Sequence, residues 1–539
     1  MPDKPQRTRF LKPKPTKNYP KVLLRHLSIV VVFALLSGCD QGREGQHSEL
    51  SPTLLLKACP GFAETGELMA VANAECGKLS VLENPDDPKG RRISINIQRL
   101  PAISPLAAAD PLFILTGGPG QAATEFADYV APLFRDVRKK RDIILLDQRG
   151  TGQSNPLDCE PEEEEEDWTI NDAASQLKRE VLLQHCLDSY DADLRFYSTT
   201  YAMADLDKVR AALGYQRINL WGVSYGTRAA LVYMRDYPEQ VRTAILDGSA
   251  PVNMLIPRYM ERDADRALRE LSEQCEASEA CEQHLGNVLA NVRTVMKRLA
   301  VGDVEVTVEH PLSRQATQVL ISAKRFAAFV RGALYARELS PLIPLAMANA
   351  AAEDYQLVMS MIMLSSKQME SSLSQGMFLS VICSEDFSVL NQLNAQGRLS
   401  EEPAVLLKSE ALGQMENDCR LWPKGAVSSD YFAPVVSAVP TLLLSGNSDP
   451  ATPPRWAEDV SKNLSNSKHL VAQGGHHGIS ALGCVPDLMA EFIELGEHDS
   501  LDSECVKAIK PTPFFVDSMG PIMEGPALTG EVSGDNSHD

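Results

Sequence analysis

Between Ile218 and Arg228 the chain reads Ile-Asn-Leu-Trp-Gly-Val-Ser-Tyr-Gly-Thr-Arg, and Ala229 and Ala230 follow. An apolar run stops at Gly-x-Ser-x-Gly and a helical pattern begins. The pentapeptide alone is common. With a predicted strand before it and a predicted helix after it, it describes a nucleophile elbow centred on Ser224. The serine then sits on a tight strand-to-helix turn, and the flanking glycines let neighbouring backbone pass closely. The helix N-terminus behind it favours developing negative charge.

A serine hydroxyl is a weak nucleophile without a base. The chain order expected after such an elbow is an acid and then a histidine. Thr441–Ser445 is an apolar strand pattern running into Gly446-Asn447-Ser448-Asp449, so Asp449 is the candidate acid. Gly474-Gly475-His476-His477-Gly478 follows the last predicted strand, and either histidine can be the base. An oxyanion hole needs two backbone N–H groups. Tyr225, next after the serine, is one expected donor. Gly118, in Thr116-Gly117-Gly118-Pro119-Gly120 after an early strand, is the other. No Gly-Lys-Ser/Thr follows these glycines, which argues against a phosphate-binding loop.

The surrounding pattern is α/β. Strands are predicted at 77–83, 92–98, 111–116, 141–147, 217–222, 242–247, 439–445 and 468–472, with helices between, as at 201–213 and 225–237. The unbroken run Ile143-Ile144-Leu145-Leu146 suits a strand buried on both faces of a parallel sheet. From 252 to 436 the pattern is helix after helix (258–275, 282–299, 322–335 and 344–364 being clearest). That predicts a helical cap inserted before the last strands. The boundaries read as core at 59–251, cap at 252–436, core again at 437–515 and a tail at 516–539.

Residues 1–38 read as a signal peptide. Eight basic residues precede an apolar run from Leu27 to Leu36 and then Leu36-Ser37-Gly38-Cys39. The run is about half of the ~20 residues a membrane-spanning helix needs. The order resembles a bacterial lipoprotein signal, with Cys39 lipidated and residues 39–58 as a tether. The expectation is an exported lipoprotein at the periplasmic face of the envelope. Asp40 resembles an inner-membrane retention signal.

The formal charge is −20. Without residues 1–38, 44 bases remain against 71 acids, a balance of −27. Such acidity argues against nucleic acid as a partner. Seven of the acids cluster at Glu160 and Glu162–Asp167 as a solvated run. Apart from Cys39 there are ten cysteines. Export allows them to oxidise. Sequence does not fix their connectivity; the expectation is pairing in order, as Cys59–Cys76, Cys159–Cys186, Cys275–Cys281, Cys383–Cys419 and Cys484–Cys505, with buried free thiols as the alternative. No Cys-x-x-Cys or close His/Cys set suggests a metal.

Several segments together resemble the tripeptidyl aminopeptidase and proline iminopeptidase branch of the α/β-hydrolases. They are Gly117-Gly118-Pro119-Gly120, Asp147-Gln148-Arg149-Gly150-Thr151-Gly152 with Ser154, Gly222–Thr227, Asp247-Gly248, and His477-Gly478-Ile479-Ser480 with Cys484. The spaced cysteines fit as well. Thr116 departs from the pattern, since many relatives carry histidine before the glycines. The resemblance implies an α/β-hydrolase fold with a mostly parallel sheet. It places the base at His477, with His476 as the fallback, and implies release of residues from a free peptide N-terminus without cofactor or metal. An exopeptidase must hold the substrate ammonium, and Glu385, in Cys383-Ser384-Glu385-Asp386, is the first candidate. The partners implied are a small peptide and, through the N-terminal lipid, a membrane. The same machinery suits an esterase or amidase, and the fold could also serve a non-catalytic binding lipoprotein. Oligomeric state is not legible.

Overall fold

The computed structural model describes residues 54–60, 71, 73–158, 168–370, 373–398 and 406–522. The expected signal peptide, Cys39, most of the tether, Cys159, the acidic run and the tail beyond 522 lie outside these residues.

Strands β1 (Lys57–Ala58), β2 (Glu75–Leu82), β3 (Arg92–Leu100), β4 (Leu112–Leu115), β5 (Ile143–Leu146), β6 (Ile218–Val223), β7 (Val241–Asp247), β8 (Val304–Glu309), β9 (Ala316–Ile321), β10 (Thr441–Gly446) and β11 (Ser467–Ala472) form two sheets. The large sheet has nine strands in the order β1-β2-β3-β5-β4-β6-β7-β10-β11. Pairings from β5 through β11 are parallel, while β1, β2 and β3 join the edge antiparallel. Alternation along the central strands feeds both faces. Phe113, Leu115, Ile144 and Leu146 enter one buried cluster. Leu112, Ile114, Ile143 and Leu145 enter the opposite one. Burial on both faces explains why these strands read as continuous apolar runs.

Three helices position the site. Helix α1 (Tyr225–Asp236) follows β6, α2 (Ile256–Glu276) opens the cap, and α3 (Ala323–Tyr335) crosses it. The cap has its own apolar core, including Leu268, Val292, Phe326, Met347 and Val358. Three features differ from the predicted run of helices, one being that the helix expected at 344–364 is two, Ile343–Ala351 and Gln356–Glu370. The antiparallel hairpin β8–β9 interrupts it, because Val304, Val306 and Val308 alternate with polar residues at period two. The helix expected at 282–299 is two, Glu279–Leu285 and Val288–Leu299. Gly286 takes φ 65° after the first, and the Asn287 side chain accepts from Ala290 N to cap the second.

Disulfides join Cys59–Cys76, Cys275–Cys281, Cys383–Cys419 and Cys484–Cys505. Cys186 is also disulfide-bonded.

Cap and core are joined by a buried ion pair. Arg228, on α1, donates to Asp386 Oδ2 at 2.9 Å and Oδ1 at 3.3 Å from the turn Ile382–Asp386 of the cap. Arg228 Nη1 also lies 3.8 Å from Glu385 Oε2, and all three side chains are almost fully buried. Removing one partner of such a pair strands a charge in the interior. Arg228→Met should therefore lower unfolding stability by about 3–5 kcal/mol. Urea titration should show this, with part of the loss recovered in the R228M/D386N double variant.

Candidate functional site

The nucleophile turn is built by exclusion. Ser224 adopts φ 56° and ψ −126°, a region that costs a non-glycine residue about 1–3 kcal/mol. The turn is tight because both flanking glycines touch backbone. A Cβ on Gly222 would lie 2.4 Å from the Gly226 carbonyl oxygen, and one on Gly226 would lie 2.0 Å from that of Leu115. Only glycine fits at either position.

The register Leu115↔Gly222 sets the end of β4 beside the end of β6. The glycine loop after β4 therefore borders the serine, and a Cβ on Gly117 would lie 3.2 Å from Ser224 Cβ. Gly117 N donates to Gln121 Oε1 at 3.0 Å. Among the described residues, Gly118 N and Tyr225 N meet no acceptor. These are the two donors expected from the sequence, and the structure brings both loops to Ser224.

Asp449 and His477 lie in the loops after β10 and β11. His477 Nδ1 donates to Asp449 at 2.9 and 3.0 Å. Asp449 is fully buried and also accepts from Ala451 N, Thr452 N and Thr452 Oγ1, each at 2.8 Å. Burial works against its charged form, but the charge and hydrogen bond of His477 and these N–H groups outweigh it and hold the carboxyl down to about 2. For His477, burial disfavours the imidazolium. The charge of Asp449, its hydrogen bond and the charge of Asp247 prevail, so the imidazole is more basic than an ordinary histidine. A carboxylate facing Nδ1 fixes the proton there and leaves the Nε2 lone pair open.

The base loop also reaches the nucleophile strand. A Cβ on Gly478 would lie 3.7 Å from Val223 Cγ2, and one on Gly248 would lie 3.6 Å from both Asp449 Oδ2 and His477 Cε1. His476 faces elsewhere. Its Nδ1 donates to the Leu334 carbonyl and its Nε2 accepts from Ser340 Oγ, each at 3.0 Å. Both nitrogens are engaged by the cap, and burial lowers its pKa. Of the two adjacent histidines, His477 is the one joined to Asp449.

Glu385 does not present itself to a ligand. It is fully buried and accepts from Thr199 N at 2.7 Å, Thr199 Oγ1 at 3.0 Å and Tyr431 Oη, beside Arg228. The ammonium-binding role expected from the sequence is corrected to an internal clamp. The reason is position: two consecutive acids on the turn 382–386 both face the Arg228 guanidinium. Likewise Arg149 is buried on Asp205 and the carbonyls of Glu83 and Phe196.

Two residues had no role assigned from sequence. Thr452 donates to Asp449 and lies 3.2 Å from His477 Nδ1. Asp247 accepts Ile479 N at 2.9 Å, Ser480 N at 2.8 Å and Ser480 Oγ at 2.6 Å, while its carbonyl accepts Ser224 N at 2.9 Å. The signal was present in Asp247-Gly248, an acid ending the strand next to the nucleophile strand.

An elbow serine, a polarised histidine and two open N–H donors at one edge of this sheet define a serine hydrolase with the α/β-hydrolase fold. The family model described as alpha/beta hydrolase fold matches residues 110–274, and that described as TAP-like protein matches residues 405–505. The serine protease Hip1 of Mycobacterium tuberculosis is 24% identical over 521 residues, covering 90% of this chain and 98% of the relative. The tripeptidyl aminopeptidase of Streptomyces lividans is 23% identical over 474 residues, covering 81% and 85%. The chain has the α/β-hydrolase fold and is similar to serine peptidases of the tripeptidyl aminopeptidase-like branch.

His477→Ala should reduce kcat on the order of 10⁴-fold or more. His476→Ala should cost under about tenfold in kcat while lowering thermal stability by about 1–2 kcal/mol. Since a base must be neutral, kcat/KM should fall as pH drops through a value above the ordinary histidine pKa of 6.5. Asp247→Asn removes one charge that raises this value. Its acid limb should move to lower pH, with kcat falling roughly 10²-fold as the base loop shifts. pH–rate profiles check both.

Proposed function

We propose that this protein is a serine exopeptidase that releases short peptides from the free N-terminus of a peptide substrate. The observation that carries it is the Asp449–His477 pair beside Ser224, with Nε2 open beneath a cap, together with the peptidase names of the relatives.

In this reading Ser224 Oγ attacks the scissile carbonyl carbon while His477 Nε2 takes its proton. Asp449 keeps Nδ1 protonated and stabilises the imidazolium. The N–H groups of Gly118 and Tyr225 hold the oxyanion. Collapse of the tetrahedral intermediate breaks the C–N bond, and His477 gives its proton to the leaving amine. Water, deprotonated by the same imidazole, then frees the acyl fragment and regenerates Ser224. The cap restricts access and selects short, unfolded chains.

The site reading predicts covalent labelling by a fluorophosphonate that Ser224→Ala abolishes. The exopeptidase reading predicts that N-acetylation of a tripeptide p-nitroanilide sharply lowers kcat/KM. Equal hydrolysis of free and acetylated substrates would leave a serine hydrolase without N-terminal specificity. We also place the protein at the envelope through lipidated Cys39. Cys39→Ala should then move it from the membrane fraction to the soluble fraction, as read by immunoblot.

A further inference from the structure

Helix α3 ends at the site with Tyr335, whose ring meets that of His477 edge-on at 5.1 Å. Arg331 stands one turn earlier on the same helix face. Its Nη1 is enclosed by protein and has no hydrogen-bond partner. Among the described residues no carboxylate forms an ion pair with it. The neighbouring arginines Arg262, Arg266 and Arg337 also carry one enclosed nitrogen without a partner, but each is held through its other nitrogens. Arg262 and Arg455 are held by Asp263. Arg266 is held by Glu270 and the carbonyls of Asn447 and Asp449, and Arg337 by the carbonyl of Lys510.

The charge of Arg331 reaches the Tyr335 hydroxyl together with those of Asp449 and Asp263. Both carboxylates are already engaged, Asp449 by His477 and Asp263 by Arg455 and Trp456 Nε1. The Tyr335 hydroxyl itself makes no hydrogen bond among the described residues. A guanidinium with no partner at all is costly, and one standing a helix turn from the ring that meets the imidazole marks a ligand position.

The ligand class follows from the donors. A planar guanidinium fork with a phenol beside it matches a carboxylate. Its place on the substrate follows from the chemistry. His477 must hand its proton to the leaving amine, so groups packed on the imidazole border the leaving fragment. The geometry points to Arg331, with the Tyr335 hydroxyl, as a subsite for a carboxylate carried by that leaving fragment, which rests on the proposed peptidase reaction. The carboxylate is either the C-terminus of a short peptide or an acidic side chain just beyond the scissile bond.

The test compares three peptides with the same free N-terminal tripeptide. The leaving residue is alanine with a free carboxylate, alanine amide, or glutamic acid amide. For wild type, kcat/KM for one or both carboxylate-bearing peptides should exceed that for alanine amide by roughly tenfold to a hundredfold. Preference for the free acid alone identifies the C-terminal carboxylate, and preference for the glutamate peptide identifies the side chain. Arg331→Gln should bring the ratio close to one, and Arg331→Lys should keep part of it, with circular dichroism confirming that both variants fold. A wild-type enzyme indifferent to all three peptides overturns the subsite, as does a folded R331Q protein that keeps the wild-type ratio. Repeating the series with N-acetylated peptides separates the two readings. If acetylation leaves the rates unchanged, the N-terminal specificity fails while an Arg331-dependent ratio still stands.

Discussion

The end of β7 holds both halves of the site together. The Asp247 carbonyl accepts the Ser224 N–H, fixing the strained nucleophile turn. The carboxylate of the same residue accepts the N–H groups of Ile479 and Ser480, fixing the loop that carries His477. Trp221 on the nucleophile strand adds a bond from its Nε1 to Ser480 Oγ. Serine and histidine are therefore referenced to one buried residue rather than to two independent loops. The backbone strain at Ser224 is tolerated because the turn is packed between the start of the following helix, which excludes a Cβ at Gly222, and the end of β4, which excludes one at Gly226.

The cap is fastened to each catalytic loop separately. Arg228, on the helix that starts at the nucleophile, pairs with Asp386. Arg266, on the first cap helix, donates to the Asp449 carbonyl in the acid loop. His476, in the base loop, binds the Leu334 carbonyl and Ser340. All three ties are partly or fully buried and hydrogen-bonded, which makes them stronger than exposed pairs. The cap is thus part of the framework that positions the site, and the covering face it brings includes Tyr335 and Arg331.

Much of this framework was legible in the chain. The central strands bury both faces, so each carries an uninterrupted apolar run that marks its position. The elbow was legible because its glycines are demanded by backbone contacts within a few residues and across one strand. Asp449 was legible because it ends such a run. The hairpin β8–β9 was missed because its valine alternation lies inside a long helical stretch. Glu385 was misread because its partners, Thr199, Tyr431 and Arg228, are distant in sequence and convert an apparently available acid into an internal clamp.

By itself the sequence determined the α/β layering, the nucleophile turn and the order of serine, acid and histidine, since these depend on local periodicity and on backbone geometry at a few glycines. The tertiary structure showed that His477, which the family resemblance already favoured over His476, is the one that faces Asp449, and it alone decided that Asp247 joins nucleophile to base and that Arg331 stands unpaired one helix turn from Tyr335. Those are outcomes of pairing between side chains tens to hundreds of residues apart. Neighbours on the chain such as His476 and His477 are chemically equivalent until packing points one at the cap and the other at a buried carboxylate.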